Sequence, residues 1–503
     1  MELRLARIAD KLAAVRTRGP SCLGSNTHRF SLGERAADAD VAAFEAARGV
    51  TLPADYRAFI TTVGHGGAGP YYGLYALDQW DRERDDPVED LGAPCPLHPA
   101  TLPPGSGWLE ALMPDLDPDL ALDRCLQGTM SIGTQGCSGA IQLVVSGTAR
   151  GRVLYVDLQG GRPYFPEHDD FLGWYERWLD ELLNGCTAPG FGLGMPGFEP
   201  ELREALCNDR RPADALRALA RLPRVGPQCL ALIRAHVDDP RPAVRRAAVS
   251  TLGVHDDDAA ALARPLLDDP NPDIREAALR TIERSDIVRW QHDVYAMLDD
   301  PEPTLARRAL SALATANLLT VAQLAPLTDA SRPALRRTAM QWLRTLTTRG
   351  LDADDAAIMG ALAREWLDDT HEDVAFEGLL ILTLVDEDSV QAQLERHALG
   401  PSRRLRVVAC SALLRQAPEV GMQALLELTR SDDPFTRQGA ARLLGEQGDR
   451  RAIPALETLL DDITRPRELR NGTTAMTNVF RVCETARMAI AHIRGRDGAA
   501  PRR

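Results

Sequence analysis

Ten consecutive residues, Asp81-Arg82-Glu83-Arg84-Asp85-Asp86-Pro87-Val88-Glu89-Asp90, bring six carboxylates and two guanidiniums together. Such a run can imitate the phosphates that a basic surface is built to hold. A solvated loop after Trp80 is the favoured reading, and the acidic balance of the surrounding segment keeps the partner reading in play. Tyr71, Tyr72, Tyr75 and Trp80 come just before it. Tyr and Trp dominate the energetics of protein interfaces. The candidate partner-contact set is therefore Tyr71, Tyr72, Trp80, Asp81, Glu83, Asp85, Asp86, Glu89 and Asp90. Core packing is the competing reading for at least half of the aromatic residues.

Other residue patterns invite chemistry and are better read structurally. Gly64, Gly66 and Gly69 satisfy G-x-G-x-x-G, but they follow a helical segment instead of joining a strand to a helix. They are expected to form a turn needing positive φ, not a dinucleotide site. Glu167-His168-Asp169-Asp170 and His255-Asp256-Asp257-Asp258 resemble metal-ligand clusters, yet neighbours on a forming helix rarely converge on one ion. Both read as helix-start carboxylates. Arg245, Arg275, Arg336, Arg406 and Arg437 recur at one position of a repeat. Lined up, they could hold phosphates; bonding to acidic neighbours between repeats is the favoured reading. No catalytic, cofactor-binding or metal-binding residue is assigned, and the expectation is a binding protein without a cofactor, not an enzyme.

Composition sets the frame. The 503 residues are 44% hydrophobic and 26% charged, as in soluble globular proteins, and leave room for roughly three domain-sized units at about 150 residues each. The net charge is −14. Residues 1–185 carry 16 basic against 26 acidic residues, which is −10. An acidic surface repels phosphate backbones, so nucleic acid is not the expected partner and a basic protein is. Nine scattered cysteines without a C-x-x-C pair fit reduced thiols and a cytoplasmic location. The N-terminal stretch MELRLARIADKLAAVRTRG has no apolar signal core, and no apolar run is long enough to span a membrane.

The clearest organising feature is a repeat. DDPRPAVRRAAVSTLG from 238, DDPNPDIREAALRTI from 268 and DDPEPTLARRALSAL from 299 are followed by weaker copies. The anchoring residues are Val244, Ile274, Leu305, Leu335, Val374, Leu405, Thr436 and Val482, spaced by 30, 31, 30, 39, 31, 31 and 46. The long steps imply insertions near 347–357 and 464–478. Pro242 fits the first turn of a helix, where its missing amide hydrogen costs nothing. Val244, Ala247, Ala248 and Leu252 then share one face, and Leu262, Leu266 and Leu267 supply a second helix. One such hairpin cannot bury its face alone, whereas a stack of them can. The D-P-x-P-x-V-R-x-x-A pattern resembles HEAT repeats over about 240–494, with a helical cap at 201–237. That resemblance implies an α-solenoid and a protein-binding surface, and no particular chemistry.

Residues 1–185 hold 16 of the 25 Phe, Trp and Tyr residues, so their core must be of another kind. Helices are predicted at 2–17, 37–48 and 53–63, strands at 139–147 and 151–158, and a closing amphipathic helix within 168–183. Asp169 or Asp170 is the expected cap of that helix. The segment 184–200 has eight Gly or Pro among 17 residues, and whether it is a floppy linker or packed is open. Glu45, Gly49, Leu52-Pro53, Tyr56-Arg57, Phe59-Ile60 and the 64–70 glycine turn, with Gly151-Arg152-Val153 and FLGWYERWLD later, resemble the SUKH superfamily over about 30–183. Membership implies an α+β domain without catalytic residues. In bacteria it implies an immunity protein that neutralises a cognate toxin, often a nuclease; in fungi, a signalling and scaffolding partner. The expected architecture is an α+β N-terminal domain, an antiparallel sheet with flanking helices, over 1–185. A Gly/Pro-rich linker at 186–200, an all-α HEAT-type solenoid at 201–494 and a polar tail at 495–503 follow. The expected partner is a protein, a basic toxin domain, with neither nucleic acid nor membrane; an adaptor or scaffold holding a resident partner is the alternative.

Overall fold

A computed structural model of the 503-residue chain describes residues 1–80, 90–159, 161–329, 331–387, 390–465, 468–470, 473–475 and 480–495. The chain forms two compact units, Met1–Ser285 and Asp286–Arg503. No helix among the described residues is long and apolar enough to cross a membrane.

In the first unit, α1 (Glu2–Arg18), α2 (Asp38–Arg48) and α3 (Ala54–Thr62) fall where their apolar spacing predicts. Pro53 caps α3 at its start, the position where its ring is tolerated. The sheet has strand order β1 (Thr129–Gly136), β2 (Gly139–Val144), β3 (Val153–Asp157), all antiparallel. Strand alternation sends Ile141, Leu143, Val153 and Tyr155 to one face. Val144, Leu154 and Val156 pack on the other, beneath Cys95, Leu97, Trp108 and Phe165. The sheet is thus covered on both sides, the second cover coming from residues 90–126. The helix α4 (Phe171–Leu183) closes the larger core, capped by Asp170, whose carboxylate accepts from the Gly173 amide at 2.7 Å.

The Gly/Pro-rich segment is packed. Phe191 is buried against Trp174, and its carbonyl accepts from the Tyr71 hydroxyl at 2.9 Å. Gly192 lies so close to Tyr155 that a Cβ there would come within 2.5 Å of its hydroxyl, which leaves room for nothing larger than glycine. Charged contacts bind this segment to both of its flanks. Glu181 on α4 accepts from Arg177 at 2.7 Å and pairs with Arg221 from the helical region, while Arg221 also reaches the Leu193 carbonyl. Arg211 grips Glu167 with two bonds of 2.7 and 2.9 Å. The first compact unit also contains the helices Pro242–His255 and Pro272–Ser285.

The repeats form as paired helices in each unit. Those beginning at Pro242, Pro272, Pro303, Pro333 and Pro434 all start on proline, as the motif predicts. The recurring arginine is a structural clasp. Arg245 donates to the Asp239 carbonyl of its own turn at 2.9 Å and to the Asp269 carboxylate of the next turn at 3.1 Å. Arg437 does the same with the Ser431 carbonyl and Asp462, at 2.7 Å each, and Arg336 bonds the Thr328 carbonyl and Asp369. Arg406 keeps the backward bond, to the Gly400 carbonyl, but meets Ser431 ahead of it. Guanidinium geometry suits this double duty, since its donors splay in fixed directions.

Candidate protein-interaction surface

The 64–70 turn positions the tyrosines. Gly66 and Gly67 adopt positive φ, 73° and 91°. Gly67 pairs in short bridges with Leu32 and Leu74, and a Cβ on it would meet the Ser31 carbonyl oxygen at 2.4 Å. Of the three glycines expected to need positive φ, Gly66 adopts it and Gly64 and Gly69 do not; Gly67, outside that spacing, does. The turn leaves Tyr71 itself in the left-handed region, φ 55°, a conformation uncommon for a bulky residue. Tyr71 points inward: it is 9% exposed, its ring meets Tyr155 edge-on, and burial pushes its hydroxyl up to about 12. The anchor reading of Tyr71 is corrected on that ground, because its hydroxyl and ring are already committed to the Phe191 segment and the core.

Tyr72 points the other way and is exposed, its ring lying over Gly136 at the β1–β2 end. Leu23, also exposed, belongs to the loop whose Gly24 abuts the Tyr71–Tyr72 peptide. Tyr75 is half-buried, with its amide donating to the Ile132 carbonyl at 2.8 Å. Trp80 ends a short helix, Leu77–Trp80. Asp81, Glu83, Asp85, Asp86 and Glu89 lie outside the described residues. Asp90 is exposed and its carboxylate accepts from the Gly92 and Ala93 amides, so it closes a turn.

Charge is arranged differently behind this surface. Arg4, Arg7 and Lys11 on α1 face Asp170, Glu176 and Asp180 along α4. The Arg7 hydrogen bond, aided by Lys11, outweighs burial and holds the Glu176 carboxyl down at about 2. His168 goes the other way for a cation: burial, then the nearby Arg177, lowers it to about 4, and its Nε2 is covered without a partner. The α1–α4 ion pairs and the Glu181 bridge escaped the sequence reading, since each joins residues far apart in the chain. The alternation of charge on α1 with apolar Leu5, Ile8 and Leu12 was their one local signal.

Taken with the two helix-paired stretches, this is a chain built for binding proteins. Residues 35–177 match the family model of the SMI1 / KNR4 family (SUKH-1), and residues 199–285 and 388–474 match the model of HEAT repeats. A SUKH-1 segment followed by HEAT repeats is the layout of the chain. No curated protein matches it. Among solved structures, it is similar to Kap121p bound to Ste12p at 14% identity and a TM-score of 0.38, over 64% of this chain and 39% of that one. An engineered protein is similar at 13% identity and a TM-score of 0.34, over 64% and 95%. Human deoxyhypusine hydroxylase in complex with glycerol is similar at 18% identity and a TM-score of 0.23, over 59% and 97%.

Proposed function

We propose that the chain is a cytoplasmic bacterial immunity protein. Its SUKH segment binds a cognate toxin, a basic domain such as a nuclease, and blocks it stoichiometrically without chemistry. The observation that carries this reading is the SUKH-1 match at 35–177, within a stretch, 1–185, that has ten surplus negative charges. A charge of that sign steers a basic partner into encounter and suppresses wrong ones. Tyr72, exposed and shortly ahead of the acidic 81–90 run in the sequence, offers an aromatic contact. The HEAT repeats would then add a second contact and raise avidity. A second reading, an adaptor holding a resident partner, draws support from the share of the chain given to repeats.

The test uses the full chain as bait in lysate of the source organism, with Asp85→Arg/Asp86→Arg as its control. The expected result is a basic protein that is retained at low salt, released at high salt and lost from the charge-reversed bait. Expression of that protein should stop growth, and co-expression of the wild-type chain should restore it. A retained partner that is harmless when expressed, or that survives charge reversal, overturns immunity in favour of the adaptor.

A further inference from the structure

In the second unit, α5 (Pro333–Thr347), α6 (Glu372–Leu382) and α7 (Arg403–Gln416) lie side by side. A groove of about 380 Å³ opens over them. Pro333, Met340 and Val374 contribute apolar surface, and Arg337, Asp373 and Arg404 contribute charge. Asp373 is shared. It accepts from Arg337 at 3.1 Å and from Arg404, one from each neighbouring helix. Each guanidinium has five N–H donors. These two, with side chains 75% and 45% exposed, donate one hydrogen bond apiece among the described residues, both to that carboxylate. Arg404 is also held in place from below, its guanidinium 4.2 Å from the centre of the Phe376 ring.

The neighbouring charges do not use up these donors. Arg336 is turned to Asp369 and the Thr328 carbonyl, and Arg344 to Glu377 at 2.9 Å. Two guanidiniums on one carboxylate leave a local cationic surplus in a chain whose net charge is −14. We propose that this groove binds an acidic peptide segment of a protein partner. Arg337 and Arg404 take its carboxylate, and an adjoining apolar side chain sits on Met340 and Val374. Asp373 is the built-in stand-in that marks where the incoming carboxylate goes. A nucleic-acid backbone fits less well. Its phosphates bring no apolar group for the floor, whereas an acidic peptide brings a carboxylate and an apolar side chain together. The proposal concerns another surface and a partner of opposite charge, so it stands independently of the immunity reading.

The stand-in gives the test a sign. The probe is a fluorescein-labelled heptapeptide pool with Glu at alternating positions and Leu, Ile, Val, Phe or Met between them. A second pool has Lys in place of Glu, and a labelled oligouridylate is the nucleic-acid control. Fluorescence polarisation is read with the full chain. The acidic pool should bind saturably and the other two should not. Arg337→Ala and Arg404→Ala should each weaken binding about tenfold, the scale of one lost charge-assisted bond. Asp373→Asn should tighten it by about threefold to tenfold, because the competing carboxylate is gone. Unfolding cannot produce that gain, and Arg337, on the surface, can be removed without touching the core. Absence of saturable binding by the acidic pool, tighter binding of the oligouridylate, or an Asp373→Asn variant that binds no better than wild type overturns the proposal.

Discussion

On α4, Phe171, Trp174, Tyr175 and Trp178 meet Tyr56, Phe59, Phe30 and Phe191, rings drawn from distant parts of the chain. In the repeats, by contrast, the buried positions are Ala and Leu, such as Ala247, Ala248 and Leu252 in one helix and Ala409, Ala412 and Leu413 in another. The difference is one of range. A large ring touches several elements at once, so damage to it reaches every element it joins. An alanine seam touches its own helix and the next, so damage stays within nearest neighbours. The same contrast holds for charge: α4 binds α1 across the fold, whereas Arg245, Arg336 and Arg437 each bind their own turn and the one that follows.

The comparison can be broken by mutation, and the aromatic side should give the largest effect. Trp174 is fully buried and its indole N–H donates to the Tyr155 hydroxyl at 2.9 Å. Trp174→Ala should cost about 3–5 kcal/mol. Hydrogen exchange read by mass spectrometry should rise throughout residues 1–183. A rise confined to α4 would refute the long-range account. Asp269→Ala strands Arg245, whose side chain is 16% exposed, and should cost about 2–3 kcal/mol, less than for a fully buried pair. Its exchange signature should stop at the two turns that share the clasp. Ala409→Leu should cost about 1–3 kcal/mol by overpacking. Faster exchange should appear in α7 and its neighbours, with residues 1–183 unchanged.

How far each region could be read in advance follows from the same difference of range. The repeats announce themselves because one local pattern, Asp-Pro-x-Pro then an apolar residue and Arg, sets the helix starts and clasps at Pro242 and Pro272 and recurs in weaker copies further along. In the N-terminal segment, the helices and β2 and β3 are locally marked, but β1 is not. Its sequence, TMSIGTQG, hides the alternation of buried Met130 and Ile132 among Gly and polar residues. It is a strand because β2 pairs with it, with irregular register at Ser131/Gly133 and Thr134/Gly136. Gly133 is required by the Gly73 carbonyl, which a Cβ would approach to 2.4 Å, a contact between residues far apart in sequence. Tyr71 and Tyr72 are adjacent and identical in type, yet one is core and the other surface. Backbone direction after the glycine turn decides that, and composition carries no trace of it. The groove over α5–α7 was missed for a related reason. Arg336 follows the repeat pattern and draws notice, while Arg337, the residue that reaches the groove, is off the pattern.

Acid should separate the two regions more finely. Glu176 has a folded value of about 2 against an ordinary 4.5. Its contribution is present above 4.5 and is lost as pH falls through about 2. His168 has a folded value of about 4 against 6.5, so the folded state favours its neutral form. Its contribution is complete above 6.5 and is lost as pH falls through 4. The charged groups facing His168 are Arg177, Asp170, Glu181 and Arg4. His28, lowered by burial in the same segment, adds to the same side of the curve. The segment 1–183 should therefore begin to lose protection in mildly acidic solution. His168→Gln should flatten the loss between 6.5 and 4, and Glu176→Gln should flatten the part below 4.5. Unfolding free energy against pH, with exchange to localise it, reads both. If His168→Gln left the upper window unchanged, the covered Nε2 would not be the group that couples protons to the fold, and His28 would be the one to change next.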